Sequence, residues 1–197
     1  MTFHLHDARP SDESLMLAFS KGSLEAFAEL FQRYNQPIFG YFCRRVAQRS
    51  LAEEFTQETF LALYRAGSRY EPRALFRTYL DALAMKILHG YRRKASFRDA
   101  FLGSQASGAE AGKQDSTESS SWVQQAVEKL NAFDREVLLL REFEQLSYAE
   151  ISDLLNLPLN AVRSRLFRAR LALRDLLRLA ATTLQDGTIL TERGERA

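Results

Sequence analysis

Residues 157–170 read LPLNAVRSRLFRAR and place four arginines on one short amphipathic run that opens with a proline. Guanidinium groups at this density suit two tasks: holding phosphate oxygens, and donating paired hydrogen bonds to guanine edges. Residues suited to other chemistry are sparse. His4 and His6 form an H-x-H pair with no further ligand cluster near them, so no metal site is expected. Cys43 has no histidine beside it and reads as a packing residue rather than a nucleophile. A glycine-rich phosphate loop and a serine elbow are both missing. Recognition is therefore expected rather than catalysis: no enzyme, no catalytic residue, no cofactor and no small-molecule substrate.

The elements that carry the arginines can be read from spacing. With Val162 at the centre of one face and about 100° per residue, Val162, Leu166, Ala169, Leu173 and Leu176 fall together and face a core. Asn160, Ser164, Phe167 and Arg168 fall opposite, flanked by Arg163 and Arg165. Just before this helix, SYAE (residues 147–150) is a capping box, and it starts a short helix expected to end near Asn156. Pro158 then suits a first helical turn. A short capped helix, a tight turn and a second basic helix make a helix-turn-helix. In that motif Asn160, Arg163, Ser164, Arg165, Phe167 and Arg168 are the candidate DNA contacts, with phosphates held by arginines further along. A bundle helix with a solvated basic face is the plain alternative.

Upstream, apolar residues recur at three- and four-residue spacing, and no alternating strand pattern is sustained, so the chain is expected to be all-α. Helices are expected at 12–20, from a Ser23 cap onward with a break at Pro37, at 51–66 ended by Gly67, and at 73–97 after Pro72. Further helices are expected at 122–130 and 133–143. Residues 104–121 (SQASGAEAGKQDSTESSS) lack periodicity and read as a flexible linker. The expected organisation is a helical bundle over 1–98, a linker over 99–121, a helix-turn-helix domain over 122–179 and an unassigned tail over 180–197.

Charge supports two separate contacts with a polyanion. Residues 158–178 hold six arginines against one acid, and residues 69–98 hold eight cations against two acids, whereas 51–65 carry Glu53, Glu54 and Glu58 against Arg65. The whole chain has a net charge of only +2. No apolar run approaches the roughly 20 residues that span a bilayer, and the N-terminal residues do not form a signal peptide. A single cysteine excludes an internal disulfide, so a cytoplasmic protein without membrane insertion is expected.

Three blocks, in this order, resemble bacterial RNA polymerase sigma factors of the extracytoplasmic-function group. AEEFTQETFLALYR (52–65) and LFRTYLDALAMKILHGYRRK (75–94) are similar to the second conserved region of that family, and LSYAEISDLLNLPLNAVRSRLFRARLALR (146–174) to the helix-turn-helix of the fourth. The resemblance implies a transcription initiation factor that joins core RNA polymerase, directs it to promoter DNA with −35 and −10 elements, and helps melt the duplex. It implies polymerase contacts from Glu53, Glu54, Phe55, Gln57, Glu58 and Phe60. It implies −10 contacts from Arg77, Tyr79, Lys86, Tyr91, Arg92 and Arg93, with the tyrosines as candidates for stacking on unpaired bases. An anti-sigma partner is a further implication. Lys86, Gly90, Tyr79 and Ala161 depart from the asparagine, aspartate, tryptophan and threonine usual at their positions in the family. The alternative readings are a stand-alone helix-turn-helix regulator that never joins polymerase, and a signalling adaptor whose first bundle docks a partner.

Overall fold

The computed structural model describes residues 9–102 and 118–192, with side chains over 9–96, over 123–180 and at 182. The described residues form α-helices, one 3-10 turn and no strand. The chain divides into two units, Met1–Gly112 and Lys113–Ala197.

In the first unit, α1 (Asp12–Ser20) starts at Ser11, whose hydroxyl accepts from the Ser14 N–H at 3.1 Å. The chain reverses through Gly22 at φ +104°, a conformation that costs glycine little. Ser23 then caps α2 (Leu24–Cys43) by accepting from the Ala26 N–H. α2 runs through Pro37 without the expected break. An internal proline costs about 3 kcal/mol, but Leu30 before it and Ile38, Tyr41 and Phe42 after it are all fully buried. Burial of those four large side chains outweighs the lost hydrogen bond.

α3 (Arg49–Ala66) packs between α2 and α4 (Phe76–Leu102). Its buried face holds Phe55, Phe60 and Leu63, together with Thr56 and Thr59. Both threonine hydroxyls donate to the carbonyl four residues back, at 2.7 Å, so neither is left unsatisfied in the core. α3 ends at Gly67, but not through a left-handed glycine: Gly67 has φ −50° and begins a single 3-10 turn, Gly67–Arg69. The glycine is needed for space. A Cβ there would stand 2.3 Å from the Phe19 ring, so Gly67→Ala is expected to lower stability by about 1–3 kcal/mol. Urea denaturation midpoints check this, and Phe19→Leu in the same chain should recover part of the loss.

α4 starts at Phe76, three residues later than Pro72 suggests. Arg73 folds back on Glu71, its backbone N–H donating to the Glu71 carbonyl and its guanidinium to the Glu71 carboxylate at 2.6 Å. The Phe76 N–H at the start of the helix donates to the Glu13 carboxylate of α1, at 2.8 Å. An acidic side chain from another helix thus does the work of an N-cap. Glu13→Ala is expected to cost about 1–2 kcal/mol and to speed hydrogen exchange at the first turn of α4, as exchange mass spectrometry can read. Beside this junction, Asp12 accepts from Arg33 at 2.7 Å and from the Tyr34 hydroxyl. Burial, reinforced by that bond, pushes the Tyr34 phenol well above its ordinary range.

The second unit contains α5 (Glu118–Glu128), α6 (Ala132–Glu142), α7 (Tyr148–Leu155) and α8 (Leu159–Glu192). Asn131 caps α6. The Ser147–Glu150 capping box is present in both directions and starts α7. Asn156 ends α7 in the left-handed region at φ +51°, and Pro158 immediately precedes α8, its carbonyl accepting from Val162. Val137, Leu138, Leu139 and Leu140 are all buried, with α8 and α7 packed against α6 and α5 packed on α8. The segment expected to be a linker is helical at both ends, since α4 continues to Leu102 and α5 begins at Glu118; residues 103–117 lie outside the described residues. Likewise α8 does not stop near residue 179 but carries thirteen further residues of the unassigned tail into helix, with 193–197 outside the described residues.

Candidate protein and nucleic-acid interfaces

Three helix faces remain after the core is assembled. The first is on α3. Phe55 and Phe60 belong to the core: Phe55 packs edge-on with Phe42 and Tyr91, and Phe60 with Phe31. They set the orientation of the helix rather than its surface chemistry. Glu53, Glu54, Gln57 and Glu58 are exposed. The sequence reading missed Leu61, which is 53% exposed and completes an i, i+3, i+4, i+7 row with Glu54, Gln57 and Glu58. That spacing is visible in the sequence. On the other flank of α3, an open groove of about 300 Å³ runs between α2 and α3, lined by Phe31, Asn35, Phe39, Arg49, Glu53 and Gln57. Together these features make an acidic surface with apolar side chains set into it.

The second face is on α4. At about 100° per residue, Tyr79, Lys86, Gly90 and Arg93 fall within about 60° of one another, away from the buried row Phe76, Leu80, Ala84 and Leu88. Lys86 and Arg93 are exposed. Tyr79 is half-buried, its ring edge-on to Tyr70 at 5.3 Å, and burial pushes its phenol above the ordinary value. Gly90 meets nothing within 4 Å, so no steric demand explains the glycine; it leaves that face open between Lys86 and Arg93. The other three −10 candidates lie elsewhere. Arg77 is half-buried, with its charge felt at Tyr34. Tyr91 packs on Phe55, and Arg92 donates to the Arg45 carbonyl at 3.4 Å.

The third face is on α8. Val162, Leu166 and Ala169 are buried as the periodicity predicts, while Leu173 and Leu176 are half-buried where the core thins. Asn160, Arg163, Ser164, Phe167 and Arg168 are exposed, Phe167 at 69%. Arg165 is not outward. Its guanidinium bridges to Asp134 of α6 at 3.0 Å and lies over the Phe133 ring at 5.1 Å. Arg170 donates twice to one Glu142 oxygen, at 2.6 and 3.1 Å, and that hydrogen bond raises its pKa. Arg174 bridges to Asp175. Among the described residues Arg163 forms no ion pair, so its charge is available to a ligand.

The sigma-70 region 2 model matches residues 30–98, which hold the first two faces, and the sigma-70 region 4 model matches residues 120–173, which hold the third. The sigma factor CarQ of Myxococcus xanthus is 32% identical over 165 residues, covering 82% of this chain and 95% of the relative. The chain belongs to the extracytoplasmic-function RNA polymerase sigma factors. Two more relatives agree. RNA polymerase sigma-H factor of Pseudomonas aeruginosa is 32% identical over 86% of this chain and 97% of its own, and the sigma factor SigW of Bacillus subtilis is 29% identical over 80% and 92%. The solved structure of CnrH in complex with the cytosolic domain of CnrY shares the fold at a TM-score of 0.65 and 23% identity, covering 86% of this chain and 99% of that one. The sigma factor RpoE in complex with the anti-sigma factor NepR from Bartonella quintana does so at 0.66 and 18%, covering 79% and 98%.

A sigma factor is an initiation subunit without chemistry of its own: it joins core RNA polymerase and directs it to promoter DNA. The described residues contain no group of three or more His, Cys, Asp or Glu arranged to hold a metal, and no helix long and apolar enough to cross a membrane. His4 and His6 lie outside the described residues. Cys43 is half-buried at the end of α2 and takes part in no disulfide.

Proposed function

We propose that this sigma factor divides its work among the three faces. The exposed row on α3, Glu54, Gln57, Glu58 and Leu61 with Glu53 at its edge, docks core polymerase, while Phe55 and Phe60 hold that helix in place from behind. Tyr79, Lys86 and Arg93 of α4 hold the −10 element, the cations on phosphates and the tyrosine against an unpaired base. Because a face of this kind grips a displaced strand better than a duplex, its binding favours the open state, and melting follows from that difference in affinity. The N-terminal turn of α8 reads the −35 element through Asn160, Arg163 and Ser164, with Phe167 against a thymine methyl group.

One observation carries the reading: a large apolar side chain, Leu61, stands half exposed in the middle of an acidic helix face on the side away from the core. Its place in a row with Glu54, Gln57 and Glu58 combines an apolar anchor with a charged surround, the mixture a partner's surface can use. The same face argues against a stand-alone regulator. Site-specific photo-crosslinking in the holoenzyme–promoter complex tests the division. A probe at Gln57 should label protein only, one at Lys86 the single-stranded −10 segment, and one at Arg163 the −35 duplex. DNA labelling from Gln57 would refute the assignment.

The setting follows from the same reading: the protein works in the cytoplasm, where polymerase and promoters are. An anti-sigma partner covering one of these faces is the regulation we propose, since the solved RpoE named above was captured with the anti-sigma factor NepR.

A further inference from the structure

We propose that Asp134 determines how many of the α8 arginines reach DNA phosphates, and so limits the affinity of this sigma factor for DNA that lacks its target sequence. The inference rests on the reading of α8 as the duplex-facing helix. Asp134 stands in the first turn of α6, just inside the Asn131 cap, where the helix favours an anion. It is only 15% exposed, and its two oxygens face different arginines. Oδ1 holds the Arg165 guanidinium at 3.0 Å, and the Phe133 ring lies beneath that group; Arg165 is 27% exposed. Oδ2 faces Arg168 Nε at 3.6 Å, beyond hydrogen-bond reach, and Arg168 is 55% exposed.

The two bridges therefore differ in kind. The first is a hydrogen-bonded, partly buried strut that fixes α8 against α6. The second is an exposed Coulombic contact of the sort that is weak and easily screened. Arg163, with no ion pair among the described residues, is available to DNA at all times. Arg168 is available only when a phosphate competes successfully with Asp134, and Arg165 is withheld. Non-target DNA, bound through phosphates alone, loses most from this restraint. Target DNA has base contacts to compensate and loses less.

The test uses the full-length chain with a labelled duplex carrying its −35 sequence and a scrambled duplex, titrated between 50 and 200 mM salt. Each added phosphate contact steepens the plot of log affinity against log salt by about 0.9, which over that range is about a 3.5-fold change. Asp134→Asn keeps the shape of the side chain and removes its charge. It should steepen the slope by about one contact, tighten binding to the scrambled duplex about threefold or more at 50 mM, and lower the target-to-scrambled ratio. Adding Arg168→Gln should return the slope to that of the unaltered chain. Arg165→Gln alone should leave the slope unchanged. An unchanged or shallower slope in Asp134→Asn, or a drop of a full contact in Arg165→Gln, would overturn the proposal.

If circular dichroism shows that Asp134→Asn has lost helix, the exposed single variants decide. Arg163→Gln should lower the slope by about 0.9 and Arg168→Gln by less than half as much; equal drops refute the restraint. An unaltered chain with no salt-dependent affinity for either duplex would refute the DNA-facing reading of α8 and this inference with it. Salt-dependent binding that Asp134→Asn leaves alone would refute the inference only.

Discussion

Glu54→Lys combined with Glu58→Lys is expected to weaken binding to core polymerase by at least 30-fold while leaving the fold intact. Both side chains are exposed on α3 and neither takes part in the core. Surface substitutions of that kind change stability by about 0.5 kcal/mol or less. An interface selected for acidic groups responds differently. Reversing two charges against a basic partner replaces attraction with like-charge contacts, which cost several kcal/mol, and about 2 kcal/mol already corresponds to 30-fold. Leu61→Asp should be comparably damaging, because it puts an unpaired charge at the exposed side chain proposed as the apolar anchor. Competition for core polymerase against a labelled reference sigma factor reads the affinity, and thermal melting reads the fold. A double variant that still competes at full strength would move the polymerase contact off α3.

Arg163→Ala should reduce transcription from promoters with the matching −35 element by about 5- to 150-fold, the range set by 1–3 kcal/mol for a good base contact. The loss should be largest for one base pair of the element if Arg163 reads a guanine, and even across sequences if it holds a phosphate. Arg165→Ala serves as the contrast. It removes the strut to Asp134 and leaves a mostly buried carboxylate without its closest partner, so its main effect should be a lower melting temperature of the second unit. Run-off assays on a set of single-base −35 variants, with melting curves in parallel, separate the two behaviours. If the alanine variants exchanged effects, the orientation of α8 proposed here would be wrong.

The parts of this fold that were legible in the sequence are those fixed by neighbours a few residues away. Ser23 and the Ser147–Glu150 pair each satisfy an N–H within three residues, so their helices begin where the residue types say. The buried row of Val162, Leu166 and Ala169 follows from period alone. Two of the departures involve partners far along the chain. Phe76 looks like the interior of a helix begun at Pro72, yet its N–H is capped from Glu13, 63 residues earlier. Pro37 reads as a breaker because the burial of Ile38, Tyr41 and Phe42 against other helices cannot be seen locally.

The proposed surfaces show both cases. Arg165 steps to the flank of the outward face, and only Asp134, 31 residues away, shows that it points inward. Tyr91 and Arg92 sit among −10 candidates in sequence, but the helical turn places them about 160° and 100° from Arg93, where Tyr91 packs on Phe55 and Arg92 donates to the Arg45 carbonyl. Lys86 and Arg93 needed no such information, because seven residues of helix bring a side chain back to nearly the same face.

The central claim, that this chain carries both a polymerase surface and promoter-reading surfaces, is tested most directly by run-off transcription. Core polymerase lacking any sigma factor would be supplied with this protein and a genomic promoter library. Transcripts that require the protein and share two upstream elements are predicted, and they should be lost with Glu54→Lys/Glu58→Lys. Failure to produce transcripts, together with failure to co-elute with core polymerase, would contradict the account.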